Sequence, residues 1–423
     1  LKDDRTIYTD QCEEKLLRLY GKQSLHEAQS RYKRIEERFC RLFGDRRVLH
    51  FYSAPGRTEI GGNHTDHQHG CVLAAAIHLD VVAAVAERED GIIRFYSEGF
   101  DPMEIDTADT RFHQQETGSS EALLRGICAK MKQLGYRIGG FDAYCSSKVP
   151  IGSGLSSSAA YEILMTTIES HLYNQGKVDA QTAAMIAQFA ENQYFGKPCG
   201  LMDQMACSVG GVVAMDFQDA AHPIVQKIEY NPDTTGFTLC VVETGGDHSG
   251  LTEEYARISQ EMQAVAQQLG VTVLRECKED RFYQQLPQLR ERLGDRAVLR
   301  AIHFFEENKR AVLEKEALLE NNFEQFRHYA VQSGHSSFEY LQNVYSHSRP
   351  HNQELAVALA LSQTLLEDKG GVWRVHGGGF AGAIQAFVPV DFWDEYKTRM
   401  EAAFGEGCCQ PLRIREQGGI RVF

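Results

Sequence analysis

The sequence predicts an α+β fold of mixed sheets and helices, and three observations carry that prediction. Apolar residues recur at helical spacing in some segments and alternate in others. Glycine-rich turns join strand-like segments to the next elements of the chain. A length of 423 residues, 43% of them hydrophobic, supports two or three domains with buried cores.

Leu16, Leu17, Leu19 and Tyr20, then Tyr32, Ile35, Phe39 and Leu42, fall at helical spacing, so residues 10–43 read as helix. "VLHFYSAPG" (48–56) is a strand entering a Pro-Gly turn. The small and β-branched residues of 71–90, and then 91–99, continue a sheet. Residues 120–135 are helical, and Phe141, Ala143 and Cys145 alternate as in a half-buried strand. A Gly-Ser turn feeds a long helix within 151–174, and a second helix covers about 180–195. Strands are expected at 210–217 and 236–245, helices at 252–270 and 294–344, and a strand, a glycine turn and a further small-residue element at 372–390. The polar "YNPDTTG" (230–236) marks a domain boundary, giving lobes of 1–235 and 236–423.

Bulk chemistry removes several function classes. The net charge is −14 with no dense Lys/Arg run, which argues against nucleic acid or an anionic membrane as main partner. No apolar run approaches the ~20 residues of a membrane span. The first residues are charged and carry no hydrophobic signal segment, so a cytoplasmic protein is expected. Eleven cysteines without a Cys-x-x-Cys pair read as reduced thiols.

Two glycine loops hold the chemistry. In "PIGSGLSSSAA" (150–160), Gly152 and Gly154 let the backbone approach a ligand. Ser156, Ser157 and Ser158 stand where a helix begins, with free N–H groups and a dipole end of roughly +0.5 charge. The loop is no Walker motif, since no Lys follows Gly154, and Ser157 stands where a dinucleotide fingerprint needs glycine. Alone, it reads equally as a serine-capped helix. In "APGRTEIGGNHTDHQHG" (54–70), His64, Asp66, His67 and His69 fall within six residues. Zinc histidines usually sit at i, i+4 on a helix or on rigid strands, so this crowded loop is a poor metal site. Its mixed donors and acceptors suit a polyhydroxylated ligand.

Four segments together resemble the galactokinase family of the GHMP kinases. The 150–160 loop resembles Pro-x-x-x-Gly-Leu-Ser-Ser-Ser-Ala, and the 54–70 loop resembles Gly-Arg-Val-Asn-Leu-Ile-Gly-Glu-His-Thr-Asp-Tyr. "HGGGFAGAIQAFV" (376–388) is similar to Thr-Gly-Gly-Gly-Phe-Gly-Gly, and "AENQYFGKPCGLMDQM" (190–205) to the segment carrying the catalytic aspartate. The resemblance implies a GHMP kinase fold of two lobes with the active site in the cleft between them. It implies an ATP-dependent sugar 1-kinase using Mg²⁺, with a small-molecule sugar and ATP as its partners and no obligatory protein partner. Asp203 is then the acid that accepts the proton of the sugar C1 hydroxyl, with Arg57 beside it. Asn63, His64, Asp66, Gly200 and Tyr255 would meet the sugar. Gly152, Ser153, Gly154, Leu155, Ser156, Ser157, Ser158, Gly378 and Gly379 would meet ATP, and Ser157 and Glu191 would hold Mg²⁺.

The chain departs from that pattern at informative places. Asn63 stands for a glutamate that reaches toward C6 of the sugar, and His67 for a tyrosine. An amide at 63 would tolerate a C6 carboxylate, so galactose is the first expectation and galacturonate or a substituted galactose the alternative. His376 replaces threonine, and Ala381 replaces a glycine, which requires a negative φ at 381. A sugar-sensing regulator without turnover is a second class of function. Intact Asp203, Arg57 and "GLSSSA" favour the enzyme.

Overall fold

Two long strands set the frame of the molecule, and their irregularities aim the site. The computed structural model describes residues 10–44, 47–150, 152, 154–230, 234–246 and 251–423. Strand β1 (His50–Gly61) pairs antiparallel with β2 (Cys71–Arg88), with register shifts between Pro55 and Arg57 and between Glu59 and Gly61. Proline has no ladder N–H, and a bulge accommodates it and turns the following side chains. The strand therefore runs through the expected Pro-Gly turn and delivers Arg57 and Glu59 to one place.

Strands β3 (Ile92–Ser97), β4 (Met103–Asp106), β5 (Gly140–Ser147), β6 (Val212–Asp216) and β7 (Ile224–Ile228) complete most of the first sheet. Strands β8 (Phe237–Glu243), β9 (Val372–Val375), β10 (Ala383–Pro389) and β11 (Cys409–Leu412) form the second, in the order β11-β8-β10-β9. Strand β12 (Ile420–Arg421) returns to pair with β1, so the first sheet runs β12-β1-β2-β5-β3-β4, with β6 on β2 and β7 on β6. Ile414 also bridges Ile77. The end of the chain thus packs with the first sheet.

Among the helices, α1 (Asp10–Phe43), α2 (Ser120–Gln133), α3 (Ser157–Asn174), α4 (Ala180–Ala190) and α5 (Met202–Val209) accompany the first sheet. In the C-terminal half, α6 (Thr252–Gln268) precedes two short helices, α7 (Glu279–Gln284) and α8 (Leu286–Leu293). Then come α9 (Asp295–Leu319), α10 (Phe323–Ser336), α11 (Glu354–Leu366) and α12 (Trp393–Phe404). No helix among the described residues is long and apolar enough to cross a membrane.

Helix α1 bends at Gly21 (φ 72°, ψ 167°) and is fixed to the core by one buried acid. Asp80 accepts from Arg31 (2.5 Å), Arg415 (2.9 Å), Tyr20 (2.6 Å) and Ser53 (2.5 Å). Burial alone would raise its pKa; the two guanidinium groups outweigh burial and hold it below the usual aspartate value. Its contribution to stability is therefore present above the unfolded-state pKa of about 3.9 and is lost as pH falls through the lower folded value. Asp80→Asn leaves two buried arginines under-compensated, so we expect a loss of about 3–5 kcal/mol in urea unfolding at neutral pH. The gap from wild type should narrow in acid.

Candidate active site

The two sheets bring four loops around one small cavity. The loop after β1, the start of α3, the segment leading into α5 and the glycine turn after β9 converge there. The cavity measures about 250 Å³ and is lined by Arg57, Glu59, His64, Asp66, Lys197, Gly200 and Asp203, among others. A wider open groove of about 930 Å³ lies on α9 and α10, but it holds none of the motif residues. The chemistry belongs to the smaller cavity, because the ionisable motif groups meet there.

Asp203 stands in the first turn of α5, with its side chain 34% exposed and so open to a ligand. Arg57 donates to Asp203 Oδ1 through Nε (2.8 Å) and Nη2 (2.7 Å), while Ser156 Oγ donates to Oδ2 (2.5 Å). Burial pushes the Asp203 pKa up; Arg57 and Ser156 overcome it and set it below the ordinary value. Arg57 Nη1 also donates to the Gly154 carbonyl, and its backbone N–H to Leu155 O (3.1 Å). One arginine therefore ties the acid to the glycine-serine loop.

Ser156 holds the left-handed conformation (φ 58°, ψ 58°), uncommon for a side chain with Cβ. It makes no capping bond to α3, because its hydroxyl is committed to Asp203. Among the described residues, the first amides of α3 therefore lack a cap from Ser156 and remain available to an anion. Gly152 and Gly154 have φ of 80° and 74°. Ser153 lies outside the described residues.

Of the neighbouring serines, it is Ser158 rather than Ser157 that the helix phase sets beside Glu191. Ser158 Oγ lies 3.5 Å from Glu191 Oε1, and no contact joins Ser157 to that acid among the described residues. Successive helical residues differ by about 100° in direction, so two neighbours do not face one carboxylate. Glu191 also accepts from Lys197 Nζ (3.0 Å) and Gln204 Nε2 (2.7 Å), and Gln204 reaches Glu162 (3.1 Å). Glu162 is fully buried, and its Oε1 has no donor among the described residues.

In the histidine loop, His64 Nε2 pairs with Gly378 O (3.0 Å), an acceptor, so Nε2 carries the proton and Nδ1 is an acceptor. Burial, then His67, lowers the His64 pKa to about 4, and the ring is neutral at neutral pH. Asp66 takes the His67 backbone N–H on Oδ1 (2.9 Å) and presses Oδ2 toward Gly200. A Cβ at 200 would stand 2.1 Å from Asp66 Oδ2. We expect Gly200→Ala to displace that carboxylate and raise the sugar KM about 10–100-fold with the ATP KM unchanged, read by steady-state kinetics.

Asn63 and Tyr255, expected at the sugar, are both engaged with protein here. Asn63 is fully buried and not among the cavity-lining residues: its amide donates to Glu59 Oε1 (2.9 Å) and Gly377 O (2.8 Å), and its oxygen accepts from Asn343 (3.0 Å) and Ser337 (3.3 Å). Its hydrogen-bonding capacity is spent on protein. Tyr255 does not line the cavity either; its hydroxyl donates to Gly379 O (2.9 Å), and its ring lies where a Cβ on Gly378 would collide. It supports the glycine turn from behind. Within that turn, Gly379 (φ 82°) lies so close to Asn343 O that a Cβ would be 2.0 Å away. The left-handed non-glycine residue is Phe380 (φ 58°), not Ala381. His376 is buried against Gly154 and shares a 3.0 Å bond with Thr58; burial, then Arg57, lowers its pKa to about 3 and keeps it neutral.

Comparison with known proteins decides the family. The galactokinase of Streptomyces coelicolor is 32% identical over 389 residues, covering 90% of this chain and 95% of that protein. The chain belongs to the galactokinase family. The galactokinase of Bacillus subtilis is 29% identical over 382 residues, covering 87% and 92%. A family profile described as the galactokinase galactose-binding signature matches residues 37–87, and one for the GHMP kinases N terminal domain matches 122–211. In fold, the chain is similar to Lactococcus lactis galactokinase complexed with galactose (TM-score 0.79, 22% identity, 92% of this chain and 99% of that one). It is also similar to Methanococcus jannaschii mevalonate kinase (TM-score 0.60, 15% identity, 87% and 98%).

Set against the galactokinase signature, Glu59 and Lys197 are the carboxylate and the ammonium of the cavity wall that sequence reasoning missed. Glu59 sits in a strand that read as ending at Gly56. Lys197 sits in "FGKPCG", where a lone lysine in a turn gives no periodic signal. As a galactokinase-family kinase, the chain is a phosphotransferase that uses ATP and acts on a sugar hydroxyl.

Proposed function

We propose that this chain transfers the γ-phosphoryl group of ATP to the C1 hydroxyl of galactose, giving galactose 1-phosphate. The observation that carries the reading is the continuous set of bonds from Gly154 through Arg57 to Asp203, with Ser156 closing it from the loop side. It joins an anion-binding helix start to an accessible acid at the wall of a cavity of monosaccharide size.

The phosphates would rest on the α3 amides beside Gly152 and Gly154, with the 376–379 turn opposite them. Mg²⁺ fits Ser158 and Glu191: both offer oxygen, which a hard cation prefers, and the neighbouring Glu162 Oε1 lacks a donor among the described residues. When bound, the ion draws charge from the phosphate oxygens. Asp203 orients the C1 hydroxyl and receives its proton. A carboxylate of lowered pKa is a weak base, which suits a loose phosphoryl-transfer transition state in which the attacking oxygen needs little prior deprotonation. Arg57 keeps Asp203 ionised and supplies positive charge beside the transferring group. Transfer is direct, and no enzyme nucleophile takes part. The two lobes divide near residue 235, with the last strand returned to the first.

Galactose is favoured over galacturonate. With Asn63 committed to protein, the amide offers nothing to a C6 carboxylate. The cavity wall carries Glu59, Asp66 and Asp203 against Arg57 and Lys197, an acidic balance that disfavours an anionic sugar. The test is ADP release with ATP, Mg²⁺ and a panel of galactose, galacturonate, N-acetylgalactosamine, glucose and arabinose. Galactose should give the highest kcat/KM. Faster turnover of galacturonate would reject the substrate, and no ADP with any sugar would point to the regulator.

A further inference from the structure

We propose that Glu59 is the carboxylate that anchors the sugar: its free oxygen, Oε2, accepts a hydroxyl of galactose. This rests on the galactose reading above and adds to it a residue outside the set expected to touch the substrate.

Glu59 is 3% exposed yet lines the cavity. Its Oε1 is held twice, by Asn63 Nδ2 (2.9 Å) and Arg374 Nη2 (2.7 Å). Its Oε2 has no donor among the described residues and is not among the fully enclosed unpartnered atoms, so it keeps an opening to the cavity. A buried carboxylate oxygen without a donor is costly, and a ligand hydroxyl removes that cost. The surroundings hold the group still: Gln385 Nε2 donates to the Glu59 carbonyl (2.7 Å), and Arg374 Nη1 to Ile60 O (2.5 Å). Such a fixed acceptor with one oxygen tied down is suited to select a hydroxyl by position.

The signature gives the arrangement a simple sense. It carries asparagine where Glu59 stands and glutamate where Asn63 stands. Here the two residue types are exchanged, and the amide-carboxylate bond joins them at 2.9 Å. The carboxylate now comes from the bulged end of β1, and Asn63 serves as its clamp.

Glu59→Gln tests this, since glutamine can keep the Oε1 bonds to Asn63 and Arg374 while replacing the free oxygen with an N–H donor. We expect the galactose KM to rise about tenfold or more, with kcat within about threefold and the ATP KM unchanged, in a folded variant whose melting temperature is lowered by the charge lost beside buried Arg374. Repeating the comparison with 2-, 3-, 4- and 6-deoxygalactose should find one sugar for which wild type and variant agree within about twofold, because its missing hydroxyl is the one Glu59 accepts. An unchanged galactose KM, or an equal penalty with every deoxy sugar, would overturn the proposal and leave Glu59 a support for Arg374. A variant that does not fold transfers the test to wild type alone, where one deoxy sugar must carry a KM penalty of about tenfold or more. If wild type binds galactose without turnover, the galactokinase reading fails separately, and the same comparison is made on Kd by calorimetry. If it binds no galactose, both fail.

Discussion

Asp203→Asn should lower kcat for galactose by about 10²–10⁴-fold while changing the galactose Kd little. Asparagine keeps the size of the side chain and an oxygen for Arg57, so the bonds that define the wall survive in part. The substitution removes the ability to take a proton. The residue lies in the first turn of α5 with a third of its side chain exposed, so the fold should persist, and circular dichroism checks that. Calorimetric binding beside steady-state kinetics separates the two effects: a variant that binds poorly and turns over normally would contradict the assignment.

Arg57→Gln should cost about 10²–10³-fold in kcat and also change the pH profile. In wild type, Arg57 holds the Asp203 pKa below the ordinary aspartate value against the effect of burial. Asp203 is therefore ionised across the neutral and mildly acidic range, and the acid limb of kcat/KM due to this group lies below the usual carboxylate region. Without the guanidinium, burial acts unopposed by its largest counterweight, and the pKa rises. The acid limb of the residual activity should move to higher pH. A profile of kcat/KM from pH 4 to 8 for both proteins reads this, and coincident acid limbs would show that Arg57 does not control the acid.

Much of the fold was legible because its signals are local. Helical spacing from Leu16 to Leu42 gave α1 to its ends, and the alternation at Phe141, Ala143 and Cys145 gave β5. The glycine loops were legible too, since Gly152 and Gly154 do adopt positive φ. The features that could not be read depend on phase and distance. Whether Ser157 or Ser158 faces Glu191 is set by the left-handed start at Ser156, which follows from a bond to Asp203, 47 residues away. Whether Asn63 or Glu59 meets the cavity is set by bulges in β1 and by Arg374 and Asn343 from the far half of the chain. Nor does any local pattern announce that β12 pairs with β1. Motif positions thus named loops that meet at one cavity, while the inward or outward turn of each side chain was a tertiary property.

Direct transfer to C1 is tested most sharply by asking which oxygen attacks phosphorus. Galactose labelled with ¹⁸O at C1 can be incubated with ATP, Mg²⁺ and the protein, and the product read by ³¹P NMR. We predict one sugar phosphate per ADP, its resonance shifted by the heavy oxygen bridging C1 and phosphorus. An unshifted resonance, from phosphate on another hydroxyl, or ADP formed with only inorganic phosphate, would contradict transfer to the C1 hydroxyl.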